Sequence, residues 1–193
     1  MTWQRASEGV LAVVVIAAAV CDLRRGKIYN ALTYPAILIG LAFGALGGWA
    51  AARGWSGAWD GLANHLGGFG FGFGVLFVAY ILGGMGGGDV KLTGAVGAFL
   101  GWPGALYALF YSFILGAAIG VILVVGRGRT RLFLRRMGAA VRLLPMPGVT
   151  IQEAIPQTAA QVPFGLAVCL GTFWHVLEKE LGGTLWDVLA GLV

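Results

Sequence analysis

The chain has 193 residues, of which 59% are hydrophobic and 11% charged, and its formal net charge is +5. Soluble domains carry about 25% charged residues, so this composition excludes an ordinary water-exposed globule. The basic residues flank apolar runs, which suits lipid head groups and membrane orientation, and no basic groove interleaved with aromatics points to nucleic acid.

A membrane-spanning helix needs about 20 apolar residues. Stretches at roughly 5–22, 32–52, 62–83, 90–102, 104–126 and 162–182 are the candidates. They predict an all-α polytopic membrane protein of about six transmembrane helices, forming one integral membrane domain over residues 1–193. In the first stretch, Val10 to Val20 has the length of a secretory signal core. Asp22-Leu23-Arg24-Arg25 follows where small residues would mark cleavage, so the segment reads as a retained span. Cys21 and Cys169 lie in or beside apolar segments without a Cys-x-x-Cys partner. They read as packing thiols rather than a zinc module.

The second stretch carries Gly40, Gly44 and Gly48. Later stretches repeat the four-residue spacing at Gly68/Gly72, Gly70/Gly74, Gly97/Gly101 and Gly116/Gly120. That spacing puts each set on one helix face, where small residues let backbones approach. Within the third stretch, Gly68 to Gly74 alternates glycine with phenylalanine like a strand. An isolated strand in lipid leaves its backbone unpaired, so a helix is expected. The fourth stretch is short. It is read as a brief helix that starts at the run Gly83-Gly84-Met85-Gly86-Gly87-Gly88 and is broken from the fifth at Pro103-Gly104.

The basic loop at about 127–161 places Arg131, Arg135 and Arg142 on one helical face and Phe133, Met137, Val141 and Leu144 on another. An interfacial helix ended by Pro145 and Pro147 fits this pattern. An unstructured basic linker fits as well.

With the N-terminus outside and six alternating spans, Arg24, Arg25, Lys27, Lys91, Arg127, Arg129, Arg131, Arg135, Arg136 and Arg142 lie inside. Arg5, Arg53 and Lys179 lie outside. This is the positive-inside asymmetry. It puts Asp22 and Asp89 on the same side. Trp49, Trp55, Trp59, Trp102, Trp174 and Trp186 then gather at the outer boundary, as an aromatic belt. His65 and His175 read as interfacial packing residues, and Glu153 as a loop residue.

Intramembrane acids are costly and are functional-site candidates. Asp22 ends the first stretch, and Asp89 follows the glycine run. Two carboxyls at one depth suit a peptidase: the ionised one takes a proton from water, and the neutral one hydrogen-bonds the scissile carbonyl. Gly86, Gly87 and Gly88 would let a substrate backbone approach, with φ > 0 open to them. Lys91 either faces the acids or anchors the helix start to head groups. The plainer alternative makes both acids interfacial caps, with Asp22 paired to Arg24 or Arg25 and Asp89 facing a helix dipole.

Asp22-Leu23-Arg24-Arg25-Gly26-Lys27-Ile28-Tyr29-Asn30, Gly86-Gly87-Gly88-Asp89-Val90-Lys91-Leu92 and Val162-Pro163-Phe164-Gly165 together resemble the type IV prepilin peptidases, membrane aspartyl proteases of the Gly-x-Gly-Asp kind. The resemblance implies that Asp22 and Asp89 are the catalytic acids, with Gly86, Gly87, Gly88 and Lys91 in the active-site loop. It implies neither metal nor cofactor. It also implies a prepilin or pseudopilin substrate whose leader is cut at the cytoplasmic face of a bacterial inner membrane, with the lipid bilayer as the other partner. Larger members carry a four-cysteine N-terminal segment and methylate the new N-terminus. This sequence has neither those cysteines nor, by that comparison, support for N-methyltransferase activity, and it is similar to the short peptidases of tight-adherence pili. Tyr29 stands where the family often has proline. A proton- or ion-coupled transporter subunit and a non-catalytic pilus or secretion assembly subunit are the alternative functions. The sequence does not specify an oligomeric state.

Overall fold

A computed structural model describes residues 2–82, 85–126 and 163–182. The expectations for the 127–161 loop, Glu153 and Trp186 lie outside these residues. The described residues form five helices: α1 (Thr2–Arg25), α2 (Asn30–Ala52), α3 (Trp55–Ile81), α4 (Gly87–Gly126) and α5 (Phe164–Leu181). The all-helical membrane bundle read from the sequence is what is observed. Of these helices, α1 to α4 are long and apolar enough to cross a membrane. The alternating Gly-Phe run lies wholly inside α3. Phe69, Phe73 and Phe77 stack along it at 5.6 and 5.4 Å between ring centres.

Helix α4 is two limbs, 87–100 and 102–126, separated at Gly101 (φ 72°, ψ −179°). The limbs fold back on each other. Thr93 and Val96 of the first line the same small internal cavity as Ala105, Ala108, Leu109 and Ser112 of the second. Residues so far apart along a straight helix would not share a cavity. The break expected at Pro103-Gly104 therefore falls two residues earlier, where only glycine readily takes the required φ. At 1.5 Å per residue the first limb is about 21 Å long, short of the ~30 Å hydrocarbon layer.

Turning the chain at Gly101 breaks the helical bond between the Ala98 carbonyl and the Trp102 amide, and both groups need new partners. Adjacent residues of α3 supply them. Asn64 Oδ1 accepts from the Trp102 N–H at 3.2 Å, and His65 Nδ1 lies 2.7 Å from the Ala98 oxygen. A carbonyl only accepts, so Nδ1 carries the hydrogen. His65, expected as a packing residue, is thus a backbone cap. His175 stacks on Tyr107 at 5.7 Å, as packing predicts.

The glycine faces do hold the bundle. A Cβ on Gly97 would run into the Gly68 backbone of α3, and one on Gly40 would lie 2.8 Å from the Ala98 carbonyl carbon. Gly116 packs against Ala167 of α5. A Cβ on Gly70 or Gly74 would meet nothing within 4 Å, so that pair faces outward rather than into a helix contact. Thr93 Oγ1 stands 3.0 Å from the Gly72 carbonyl oxygen and 3.0 Å from that of Asp89, tying the first limb to α3. Leu11, Val15, Ala18, Leu92, Ala95 and Val168 form the buried centre. Cys169 is buried, Cys21 is half-buried, and both are free thiols.

The two ends of the bundle differ in chemistry. At one end Lys179 donates to Glu8 at 2.8 Å, Arg5 lies 3.6 Å from Glu180, and Tyr111 donates to the buried Glu178 at 2.7 Å. Trp3, Trp49, Trp55, Trp59, Trp102 and Trp174 are all exposed and fall toward this end by their places along the helices. The opposite end collects Asp22, Lys27, Asn30, Asp89 and Lys91.

Candidate active site

Four helix ends meet around the acids. Asp22 lies in the last turn of α1. The helix stops there because Gly26 adopts φ 60° and its amide closes on the Asp22 carbonyl oxygen at 2.8 Å. This is a glycine C-cap. Asp89 is the third residue of α4, whose first turn closes from the Asp89 amide to the Gly86 carbonyl at 3.1 Å. Both acids are half-buried. The start of α5 links them: Gly165 bonds Asp22, and its neighbour Phe164 packs on the cluster of Leu76, Leu109 and Val90, the last beside Asp89 in sequence.

The side chain of Asp22 does not pair with Arg24 or Arg25. Its Oδ2 accepts a hydrogen bond from the backbone N–H of Gly165 at 2.8 Å. Pro163 is the N-cap of α5 and offers no side-chain cap, so Asp22 caps α5 from another helix, at the amide an N-cap side chain normally serves. The C-terminus of α1 is the unfavourable end of a helix dipole for an anion. The N-terminus of α5, facing the same carboxyl, offsets it. Asp89 sits in the positive first turn of its own helix. Arg25 instead donates to the Tyr29 hydroxyl at 2.8 Å, with its guanidinium 5.7 Å from the centre of that ring. Tyr29, at the position noted for proline in similar sequences, thus ties the end of α1 to the start of α2.

Two glycines of the loop, Gly86 and Gly88, are tightly enclosed, and Gly87 is not. A Cβ on Gly86 would stand 3.3 Å from Asp89 Oδ2. On Gly87 it would stand 3.5 Å from the Tyr80 ring, and on Gly88 3.0 Å from Ile28 Cβ. Positive φ, expected here, is not used at these three positions; among the described glycines it occurs at Gly26, Gly101 and Gly182. Space, not backbone freedom, is what Gly86 and Gly88 contribute. Lys91 turns away from the acids: its Nζ donates to Asn30 Oδ1 at 2.8 Å and lies 5.1 Å from the centre of the Tyr34 ring.

The structure therefore brings Asp22, Asp89 and the three glycines together, with Lys91 beside them as a tether to α2. Sequence reasoning gave no role to Ile28, Asn30 or Gly165. Gly165 had a signal, the Val162-Pro163-Phe164-Gly165 element, but its contact with Asp22 spans the length of the chain. Among the described residues no three His, Cys, Asp or Glu side chains group as metal ligands would.

Comparison with known proteins follows the same residues. Residues 9–121 match the type IV leader peptidase family, a stretch that includes both acids and the glycine loop. A prepilin leader peptidase/N-methyltransferase of Burkholderia pseudomallei strain 1026b is 29% identical over 124 residues, covering 63% of this chain and 38% of the relative. The protein of the same description from strain K96243 matches to the same extent. The chain thus aligns with well under half the length of these curated relatives. No solved structure matches.

Proposed function

The chain belongs to the type IV leader peptidase family, and from that membership we propose that it is an aspartic endopeptidase removing the leader of a prepilin or pseudopilin at the cytoplasmic face of a bacterial inner membrane. The observation that carries this reading is that Asp22 and Asp89 lie at the same end of the bundle, linked through the start of α5: Gly165 bonds Asp22, and Phe164 packs on the cluster that includes Val90. Two adjacent carboxyls cannot both ionise easily and share a proton.

In the proposed reaction one carboxylate takes a proton from water as the water oxygen bonds to the scissile carbonyl carbon. The protonated partner gives its proton to the carbonyl oxygen, producing a neutral gem-diol. The first acid then passes its proton to the amide nitrogen as the C–N bond breaks. The second recovers a proton from a gem-diol hydroxyl, and a carboxylic acid is released. The dyad ends in its starting state. The four lysines and arginines described at this end, Arg24, Arg25, Lys27 and Lys91, support its placement on the cytoplasmic side.

The deciding experiment reconstitutes the protein with a prepilin in liposomes. Asp22→Asn and Asp89→Asn are each expected to lower cleavage by at least about 10²–10⁴-fold, the range of acid–base contributions, with melting temperature in detergent preserved. Cleavage by either folded variant at the wild-type rate refutes the assignment.

A further inference from the structure

The mechanism needs one acid to be the base, and nothing in a symmetric pair decides which. Here the pair is not symmetric. The two carboxyls are held from different places: Asp22 Oδ2 accepts the Gly165 amide hydrogen at 2.8 Å from another helix, whereas the Asp89 carboxyl meets the amide of Gly86 in its own loop. An amide N–H only donates, so the oxygen it faces serves as acceptor and is not the one that bears the shared proton. A charge-assisted bond of this kind favours the ionised carboxylate. The position is also closed to any side chain: a Cβ on Gly165 would stand 2.9 Å from Asp22 Oδ2, 3.0 Å from its Cβ and 3.2 Å from its Cγ. All three atoms belong to the acid itself, so substitution here must move Asp22.

Resting on the peptidase reading above, we propose that Gly165 is a positioning residue of the active site: its amide fixes Asp22 as the carboxylate that accepts the proton from water, leaving Asp89 as the proton donor to the scissile carbonyl. The start of α5 is then a working part of the dyad. The amide supplies the polarity and the missing side chain supplies the space.

The test uses the full chain in liposomes with a prepilin, assayed across pH. Asp22→Asn and Asp89→Asn are measured alongside. Gly165→Ala displaces the Asp22 carboxyl, and kcat is expected to fall about 10-fold or more, with KM within about twofold, because the lost interaction serves the reaction rather than binding. A second variant replaces glycine 165 by glycolate through nonsense suppression. This deletes the N–H and adds no atom. Losing a charge-assisted bond is expected to move the acid limb of the kcat profile upward by about one pH unit. The glycolate variant decides the matter even where Gly165→Ala fails to fold. A glycolate variant with wild-type kcat and an unmoved acid limb overturns the proposal, as does an effect confined to KM. If the Asn variants are inactive in that case, the dyad stands and only the role of Gly165 falls. If an Asn variant cleaves normally, the peptidase reading itself falls.

Discussion

His65 donates through Nδ1 to the carbonyl oxygen of Ala98 at 2.7 Å, across the gap between α3 and the first limb of α4. Next to it, Asn64 receives the Trp102 amide. The two side chains take over the two ends of one broken helical bond, and so hold the reversal at Gly101. Since that limb carries Asp89 in its first turn, the position of the acid depends on a turn built by a neighbouring helix.

Removing either side chain should expose that dependence. His65→Ala leaves the part-buried Ala98 carbonyl unpaired, at about 1–3 kcal/mol, and Asn64→Ala loses an exposed bond, at about 0.5–1.5 kcal/mol. Thermal unfolding in detergent should shift down by several degrees for each. The double variant should lose less than the sum, because both act on one turn. Unchanged melting in both single variants would show that the turn holds without them.

Glycines at helix crossings should respond differently from glycines facing out. Gly97→Ala drives a methyl into the Gly68 backbone and should destabilise by about 1–3 kcal/mol, as overpacking does. Gly70→Ala meets nothing within 4 Å and should be neutral or up to about 1 kcal/mol stabilising, through helix propensity. Equal effects at the two positions, read by the same melting assay, would contradict this packing.

Activity against pH should follow a bell. On the acid side both carboxyls are protonated and no base remains; on the alkaline side both are ionised and no proton donor remains. The two limbs belong to the pair rather than to single residues. A rate that is flat from acid to alkaline pH would speak against a shared proton.

Lys91→Met should cut the bond to Asn30 while keeping the length of the side chain. The pair is solvent-exposed, so stability should change by less than about 1 kcal/mol. Cleavage should fall only a few-fold, because the lysine steadies the start of α4 and does not face the acids. A loss as large as that of Asp89→Asn would place Lys91 in the chemistry.

The fold was largely legible because lipid removes alternatives. Apolar length and the backbone's need for internal bonds left helices as the answer, even over the strand-like run at Gly68 to Gly74. The acids stood out for the same reason, since charge in apolar surroundings is rare. The parts that escaped notice are the contacts between distant positions. Asn64 and His65 look like ordinary polar residues until Gly101 turns the chain in front of them. Gly165 is one glycine among 34 until α5 meets α1. The Gly86–Gly88 run is read for both its missing side chains and its torsions, and positive φ does not occur there; sequence cannot tell a glycine needed for its torsion from one needed for its size.

Helices α1 and α5 are joined at both ends, by Asp22 with Gly165 and by Glu8 with Lys179. Each rod measures 14 residues between its two junctions, from 8 to 22 and from 165 to 179, or about 21 Å of helix. The pair is therefore a molecular ruler. One residue inserted in either rod would offset its far junction by about 1.5 Å and rotate it by roughly 100°, so the alignment of Asp22 is gauged against a charge pair on the other side of the protein.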